Sequence, residues 1–135
     1  MSGSEKKHNW LQERIFSNPG LIGLPSPIAK SIEFELFLNG VHFVVPDIFF
    51  KFNPHNMFIE IKSGNSIGAY DKGMRQLERI NHWHSVFGYR LPESRLIMPA
   101  INGTTYWHDM LNPLRIYRLG NEYEFPSSTI YNGNR

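Results

Sequence analysis

Apolar and polar residues alternate between positions 31 and 62 in a way that predicts three consecutive β-strands. Ser31–Leu38 has an apolar residue at every second position, as a strand with one buried face does. Asn39-Gly40 follows it and is a strong signal for a two-residue hairpin. Val41–Phe50 is nearly all apolar, which is typical of a strand buried on both faces. Met57–Lys62 is predicted as the third strand, after a turn at Asn53-Pro54.

A period of 3.6 residues predicts two helices on either side of these strands. The first runs from Asn9, which can act as an N-cap, to about Phe16, and Asn18-Pro19-Gly20 ends it. The second runs from about Tyr70 to Phe87, and Gly88 is suited to end it. Its predicted buried face carries Met74, Leu77, Ile80, His84 and Phe87. The prolines and glycines of residues 19–30 predict an ordered loop between the first helix and the strands.

The remaining third of the chain predicts smaller pieces. Arg95–Ile101 has the pattern of a fourth strand, followed by a turn at Asn102-Gly103. Tyr106–Leu111 is predicted as a short helix. Leu114–Leu119 and Glu122–Phe125 are predicted to form a closing hairpin across Gly120-Asn121. This order of elements indicates an α/β fold with a central mixed sheet flanked by helices.

Composition and charge limit the class of protein more than they identify it. The 135 residues suit one domain over residues 1–135, with flexible polar ends at 1–8 and 126–135. The chain has no cysteine, which excludes disulfides and thiolate metal sites. No apolar run approaches the roughly 20 residues that span a bilayer. We therefore expect a soluble, cytoplasmic protein with no membrane contact, whose small size suits a phage, viral or mobile-element origin. A net charge of +2 and a pI near 9.0 are compatible with nucleic-acid binding.

Three charged residues stand in apolar strand sequences, where burial is costly unless each finds a partner. Glu60 and Lys62 are two positions apart, so both side chains project from the same face of their strand. Asp47 stands in the preceding predicted strand and comes beside Glu60 if the two strands pair. Two carboxylates so placed repel each other unless a proton or a cation lies between them.

A divalent metal ion would remove this repulsion. Magnesium and manganese take oxygen ligands, and Asp47, Glu60 and the Ile61 carbonyl could provide three. Lys62 would then orient an attacking water or offset charge on a phosphoryl transition state. These expectations make Mg²⁺ the predicted cofactor, with Mn²⁺ as its substitute.

Asp47 followed by Glu60-Ile61-Lys62 resembles the PD-(D/E)xK phosphodiesterase superfamily, and Pro46 provides the proline of that motif. Archaeal Holliday-junction resolvases and RecB-type nucleases belong to it. The resemblance covers roughly residues 9–101 and implies a restriction-endonuclease-like fold. It also implies that Glu13, on the first helix, adds an acid to the site and that Gln76 adds a polar group. Ile80 stands four residues after that glutamine, where RecB-type members carry a tyrosine.

Each of these residues also has a structural interpretation. Lys62 could form an ordinary ion pair with an acid, and Gln76 could be helix surface. Glu13 could be a solvated helix residue, with Glu33 and Glu35 as rival acids. Lys72, Arg75 and Arg79 could bind phosphates or form a solvated face. His82 and His84 lie two apart on a helix and point in different directions, which disfavours a zinc site.

The functional prediction is a magnesium-dependent nuclease, endo- or exonucleolytic, that hydrolyses phosphodiester bonds in DNA. Structured or branched DNA is the favoured substrate, because the short chain leaves little room for a sequence-reading domain. A homodimer is expected if both strands of a duplex are cut. The alternatives are an RNA nuclease and a catalytically idle nucleic-acid-binding protein of the same fold.

Overall fold

The computed structural model of the protein describes residues 3–100, 106–112 and 115–120. That part of the chain contains two α-helices, one 3-10 helix and eight β-strands. The helices are α1 (Gly3–Ser17), the 3-10 helix (Pro19–Ile22) and α2 (Ile67–Val86). The strands are β1 (Ala29–Ile32), β2 (Leu36–Leu38), β3 (Val41–Val44), β4 (Ile48–Lys51), β5 (Asn56–Ile61), β6 (Glu93–Pro99), β7 (Tyr106–Asp109) and β8 (Ile116–Arg118).

Six of the strands form one mixed sheet in the order β1-β4-β5-β6-β7-β8, and β2 pairs with β3 in a separate two-stranded ribbon. Every neighbouring pair in the large sheet is antiparallel except β5 and β6. These two are parallel because α2 connects them as a crossover. The α/β class and the mixed sheet predicted from the sequence are confirmed.

The core has two parts, one on each face of the sheet. Trp10, Leu11 and Ile15 of α1 pack against one face, in a cluster that includes Ile59 and Ile61 of β5. The other cluster joins α2 and the β2-β3 ribbon to the opposite face: Leu36, Val44, Phe58, Leu77, Ile80, Leu96 and Met98. The alternation predicted for β5 is therefore present, with its odd-numbered residues facing α1.

The hairpin predicted at Asn39-Gly40 is confirmed. Asn39 has a φ of 54° and Gly40 a φ of 78°, and β2 and β3 pair antiparallel on either side. Positive φ at both central residues is what the right-handed twist of a two-residue hairpin favours. Asparagine and glycine tolerate that conformation better than other residues do.

The two long strands predicted before and after this hairpin are each broken in two. Glu33, with a φ of 53°, separates β1 from β2, and Pro46 lies between β3 and β4. A proline has no N–H to donate to a sheet ladder, so a strand that was predicted to run through it ends. The breaks place β1 and β4 in the large sheet and β2 and β3 in the ribbon.

The structure changes two helix predictions. Helix α1 is present but begins at Gly3, six residues before the predicted start at Asn9. Lys7 lies 5.2 Å from the centre of the Trp107 ring, a tertiary contact that helps hold this polar first part of the helix. Tyr106–Leu111 is not helical, because Tyr106–Asp109 pairs with β6 as strand β7. Its alternation of buried Trp107 and Asp109 with more exposed neighbours is that of a strand.

Leu114–Leu119 was predicted as a strand, and Ile116–Arg118 of it forms β8, paired with β7. The predictions at Asn102-Gly103, Glu122–Phe125 and 126–135 lie outside the described residues. Among the residues that are described, neither α-helix is long and apolar enough to cross a membrane.

Candidate active site

Asp47 and Glu60, called the carboxyl pair below, meet where β4 begins and β5 ends. The backbone N–H of Asp47 donates to Glu60 Oε1 over 3.1 Å, and the Ile61 N–H donates to Asp47 Oδ2 over 2.8 Å. Each carboxyl group therefore holds the backbone of the opposite strand. The side chain of Glu60 is 3% exposed, so the pair lies at the edge of the core rather than in open solvent.

The backbone at Asp47 is fixed from two further directions. Its carbonyl accepts a hydrogen bond from Gln12 Nε2 over 2.9 Å and one from the Glu33 N–H over 3.0 Å. The break in the strand at Pro46 makes these contacts possible, because Asp47 leaves the regular ladder before β4 starts. Its carbonyl is thereby free to bond to α1.

Burial and mutual repulsion change the protonation of the carboxyl pair. Loss of solvation, and then the negative charge of Asp47, raise the pKa of Glu60 from its ordinary value to about 9. The Asp47 N–H and the charge of Lys62 oppose this rise in pKa but do not cancel it. Without another cation, Glu60 therefore holds a proton at neutral pH.

Lys62 follows β5 directly, and its N–H donates to the Ile97 carbonyl over 3.0 Å, which anchors its backbone to β6. Its ammonium group is close enough to act electrostatically on both Glu60 and His8. Within the described residues Lys62 makes no ion pair, so the alternative that it serves as a structural ion-pair partner of an acid finds no support there. The buried ion pair of this sheet instead joins Arg95 Nη1 to Asp109 Oδ2 over 3.0 Å.

His8 and Gln12 of α1 were not predicted as site residues, yet both contact Asp47. His8 Nε2 lies 3.2 Å from Asp47 Oδ1, and this hydrogen bond raises the pKa of His8 against the opposing effect of burial. The two residues are four apart and share one face of the helix. That spacing was visible in the sequence, but a helix assumed to start at Asn9 excluded His8.

Glu13 and Gln76 are not joined to the carboxyl pair by any contact of the described residues. Glu13 lines a neighbouring groove of about 370 Å³ with Gln12 and Phe16. Gln76 is half-buried on α2. The structure thus brings together Asp47, Glu60, Ile61 and Lys62 and leaves these two sequence-predicted residues apart from them.

Of the three cations predicted to bind phosphates, Arg79 has a structural contact. Its guanidinium lies 4.1 Å from the centre of the Phe43 ring, and both Nε and Nη2 donate to the Phe43 carbonyl. Arg79 therefore fastens α2 to the β2-β3 ribbon. Lys72 and Arg75 are exposed on the same helix.

This difference gives a matched pair of substitutions. Arg79→Ala is expected to lower the free energy of unfolding by about 1–2 kcal/mol, because it removes the hydrogen bonds to Phe43 and the cation-π contact. Arg75→Ala, on the same exposed surface, should stay within about 0.5 kcal/mol of the unmodified protein. Urea denaturation of both variants measures the difference, and equal midpoints would show that the Arg79 contact contributes nothing.

The donor atoms at the carboxyl pair fit a hard divalent cation. Burial and then the charge of Asp47 raise the pKa of Glu60, and a positive charge between the two carboxyl groups would favour their ionised forms. Mg²⁺ and Mn²⁺ prefer oxygen ligands of this kind. Among the residues the structure describes, no group of three or more histidine, aspartate or glutamate side chains is placed to hold a metal. A cation here would thus rely on two carboxylates, main-chain oxygen and water, which is the open coordination usual for Mg²⁺.

Comparison of the chain with models of protein families, with curated proteins and with solved structures found no match.

Proposed function

We propose that this protein is a metal-dependent nuclease that hydrolyses phosphodiester bonds, with DNA as the favoured substrate. The observation that carries the proposal is the carboxyl pair, held at the ends of two adjacent strands with Lys62 directly after it. A site built for structure alone would gain little from two acids whose charges oppose each other. A site built for phosphate chemistry needs that negative charge to hold a cation.

Asp47, Glu60 and the Ile61 carbonyl would hold Mg²⁺ or Mn²⁺. Such an ion, when bound, polarises the phosphate and stabilises the leaving oxygen. To act as a ligand Glu60 would have to lose its proton, and the positive charge of a cation would favour that loss against the burial and the charge of Asp47 that raise its pKa. His8 keeps the carboxylate of Asp47 in place through Oδ1, while Ile61 N–H fixes Oδ2.

Lys62 provides the positive charge for the reacting phosphate. Because it comes two residues after Glu60, on the same face by strand alternation, its ammonium can meet an oxygen of a phosphate bound at the carboxyl pair. There it orients the attacking water or stabilises the charge that develops on the phosphoryl group.

The arrangement supports membership of the PD-(D/E)xK superfamily with its restriction-endonuclease-like fold. A helix precedes the strands, the acid and the Glu-x-Lys segment lie on adjacent strands of a mixed sheet, and a helix follows them. The part of the helix that faces Asp47 carries His8 and Gln12, and not the acid expected at Glu13. In this proposal His8 takes the place next to Asp47 that the additional acid was expected to hold.

The test is a cleavage panel with the purified protein. Branched, single-stranded and duplex DNA, and single-stranded RNA, are incubated with Mg²⁺, Mn²⁺ or EDTA. We expect cleavage of DNA with either metal and none with EDTA, and an Asp47→Ala preparation controls for contaminating nucleases. Cleavage that the Asp47→Ala preparation retains would defeat the assignment.

The same panel separates the alternatives. Cleavage of RNA alone would identify an RNA nuclease, and binding without cleavage of any substrate would identify an idle nucleic-acid-binding protein. For cleavage of both strands of a duplex we propose a homodimer, which light scattering in the presence of duplex tests.

A further inference from the structure

A groove of about 370 Å³ opens where the end of α2 meets the face of the sheet and the β2-β3 ribbon. We call it the aromatic groove. Its lining residues are Phe34, Leu36, Phe49, Asn56, Phe58, Trp83, His84, Tyr89 and Arg90. None of them belongs to the carboxyl pair, and none carries a negative charge.

Aromatic rings form the body of the groove. The rings of Phe34 and Phe49 stack with their centres 4.8 Å apart, and those of Trp83 and Tyr89 lie 5.6 Å apart. Tyr89 is 58% exposed and Phe34 is 40% exposed, so both present ring surface to the opening. A flat aromatic ligand would find stacking surfaces here, and nucleobases use such surfaces in single-stranded nucleic-acid-binding proteins.

One histidine of the groove lining has a ring nitrogen with no partner among the described residues. His84 is 5% exposed, and its Nδ1 lies 2.8 Å from the Ile80 carbonyl, to which it must donate because a carbonyl only accepts. In the neutral ring Nε2 is then a hydrogen-bond acceptor, and no described residue bonds to it. The Asn56 amide lies in the same lining. These groups can pair with the polar edge of a base, which an apolar side chain lacks.

Arg90 gives the groove a positive charge. It is exposed at the groove and makes no ion pair or hydrogen bond with a described residue. Since the lining contains no acid, the guanidinium favours an anionic ligand, and it binds phosphate well. Flat ring, polar edge and adjoining negative charge together describe a nucleotide.

The groove and Glu60 lie on the same face of β5. Every second residue of the strand faces that way, so Asn56, Phe58 and Glu60 share the face. Asn56 therefore lies roughly 13 Å along the strand from Glu60. At about 3.4 Å per step of a stacked strand, this is a separation of roughly four nucleotides. One nucleic-acid strand is long enough to reach both places.

We propose that the aromatic groove binds an unpaired nucleobase of a single-stranded nucleic acid, with the adjoining phosphate on Arg90. The choice of a nucleic acid as ligand rests on the proposed function, whereas the stacking surface, the free acceptor and the charge are properties of the groove itself. The groove would hold a single-stranded end or an unpaired segment some nucleotides away from the cleaved bond.

Binding is measured in EDTA, so that cleavage plays no part. The probe is a fluorescently labelled single-stranded DNA of about ten nucleotides, a length within the range that a small single-stranded nucleic-acid-binding domain covers. Anisotropy of the label gives the affinity, and quenching of tryptophan fluorescence gives the location. Trp10 and Trp107 are 2% and 0% exposed, so quenching by a ligand at the surface reports mainly on Trp83.

Substitutions at Tyr89 and Arg90 give the decisive comparison. Tyr89→Leu keeps an apolar side chain but removes the ring, and should weaken binding about tenfold, whereas Tyr89→Phe should retain it. Arg90→Gln should weaken binding and reduce its dependence on salt. Arg115→Gln, an exposed arginine beside β8 at the far edge of the sheet, is the matched control and should leave affinity unchanged.

The results separate this proposal from the nuclease assignment. Equal affinity of Tyr89→Leu and Tyr89→Phe, or an equal loss in Arg90→Gln and Arg115→Gln, would overturn the groove while leaving Asp47-dependent cleavage intact. Quenching of Trp83 that follows this mutational pattern, in a protein that cleaves nothing, would support the groove and defeat the nuclease. Dimers that Tyr89→Leu dissociates in light scattering would show that a second copy of the chain occupies the groove instead.

Discussion

Glu60→Gln is expected to abolish cleavage and, at the same time, to stabilise the metal-free protein at neutral and alkaline pH. Glutamine has the size of a protonated glutamate but cannot become a carboxylate for a cation. Loss of one oxygen ligand and of its charge should lower the cleavage rate by about a thousandfold, a typical cost of removing transition-state electrostatics. Single-turnover cleavage at saturating Mg²⁺ measures this loss, and comparable losses are expected for Asp47→Ala and Lys62→Ala.

The stability gain follows from the pKa of Glu60, which burial and Asp47 raise to about 9 in the folded protein. The folded state binds the proton more tightly than the unfolded chain, so the stabilisation is complete below about pH 4.5. It is lost as the pH rises toward 9, by up to about 1.4 kcal/mol per pH unit. The raised pKa of His8 likewise makes the folded protein lose stability as the pH rises above about 6.5.

Urea denaturation in EDTA from pH 5 to pH 9 measures the effect. The unmodified protein should lose stability steadily across this range, while Glu60→Gln should keep only the smaller decline that belongs to His8. Glu13→Gln makes the same charge change on α1, away from the carboxyl pair, and is the control. If the slopes of the unmodified protein and Glu60→Gln coincide, Glu60 does not hold a proton in the folded state.

Asp109→Ala is expected to destabilise the fold by about 3–5 kcal/mol, the usual cost of leaving one member of a buried ion pair alone. Asp109 is 1% exposed, and its Oδ2 lies 3.0 Å from Arg95 Nη1 while its Oδ1 accepts from the Leu111 N–H over 3.1 Å. The substitution leaves the partly buried guanidinium of Arg95 without its carboxylate and removes the anchor of the turn after β7.

Thermal or urea unfolding of Asp109→Ala measures this loss against Glu35→Ala. Glu35 lies 3.5 Å from His42 in a pair whose side chains are 49% and 59% exposed, so its removal should cost less than about 0.5 kcal/mol. The double substitution of Arg95→Met with Asp109→Leu should recover most of the stability, because it removes both buried charges. A single-variant cost as small as that of Glu35→Ala would show that water replaces the ion pair.

Local patterns were sufficient to predict the meeting of Asp47 and Glu60. Alternation assigned Glu60 and Ile61 to opposite faces, and the short turn between the two strands allowed them to pair and bring Asp47 beside Glu60. Each step used residues close in sequence, for which strand geometry leaves few arrangements. The helix between β5 and β6 followed in the same way from its apolar period.

The start of α1 and the strand at residues 106–109 were not predicted, because contacts between segments distant in sequence determine them. The polar start of α1 has little apolar periodicity, and it is helical where Lys7 meets Trp107 and His8 meets Asp47. Residues 106–109 form a strand because β6 pairs with them, whatever their local preference. The break at Pro46 was different, since a proline within a predicted central strand already argues against an unbroken strand.

The parallel pairing of β5 with β6 has a consequence for how the protein folds. These two strands can join only after the chain has closed the long loop that contains α2, and the entropy cost of closure grows with loop length. Strands β4 and β5 close a much shorter loop, so the segment bearing both acids can assemble through neighbouring contacts while the second half of the sheet is still unformed. The carboxyl pair thus lies in a part of the sheet whose contacts are more local than those of the β5-β6 pairing.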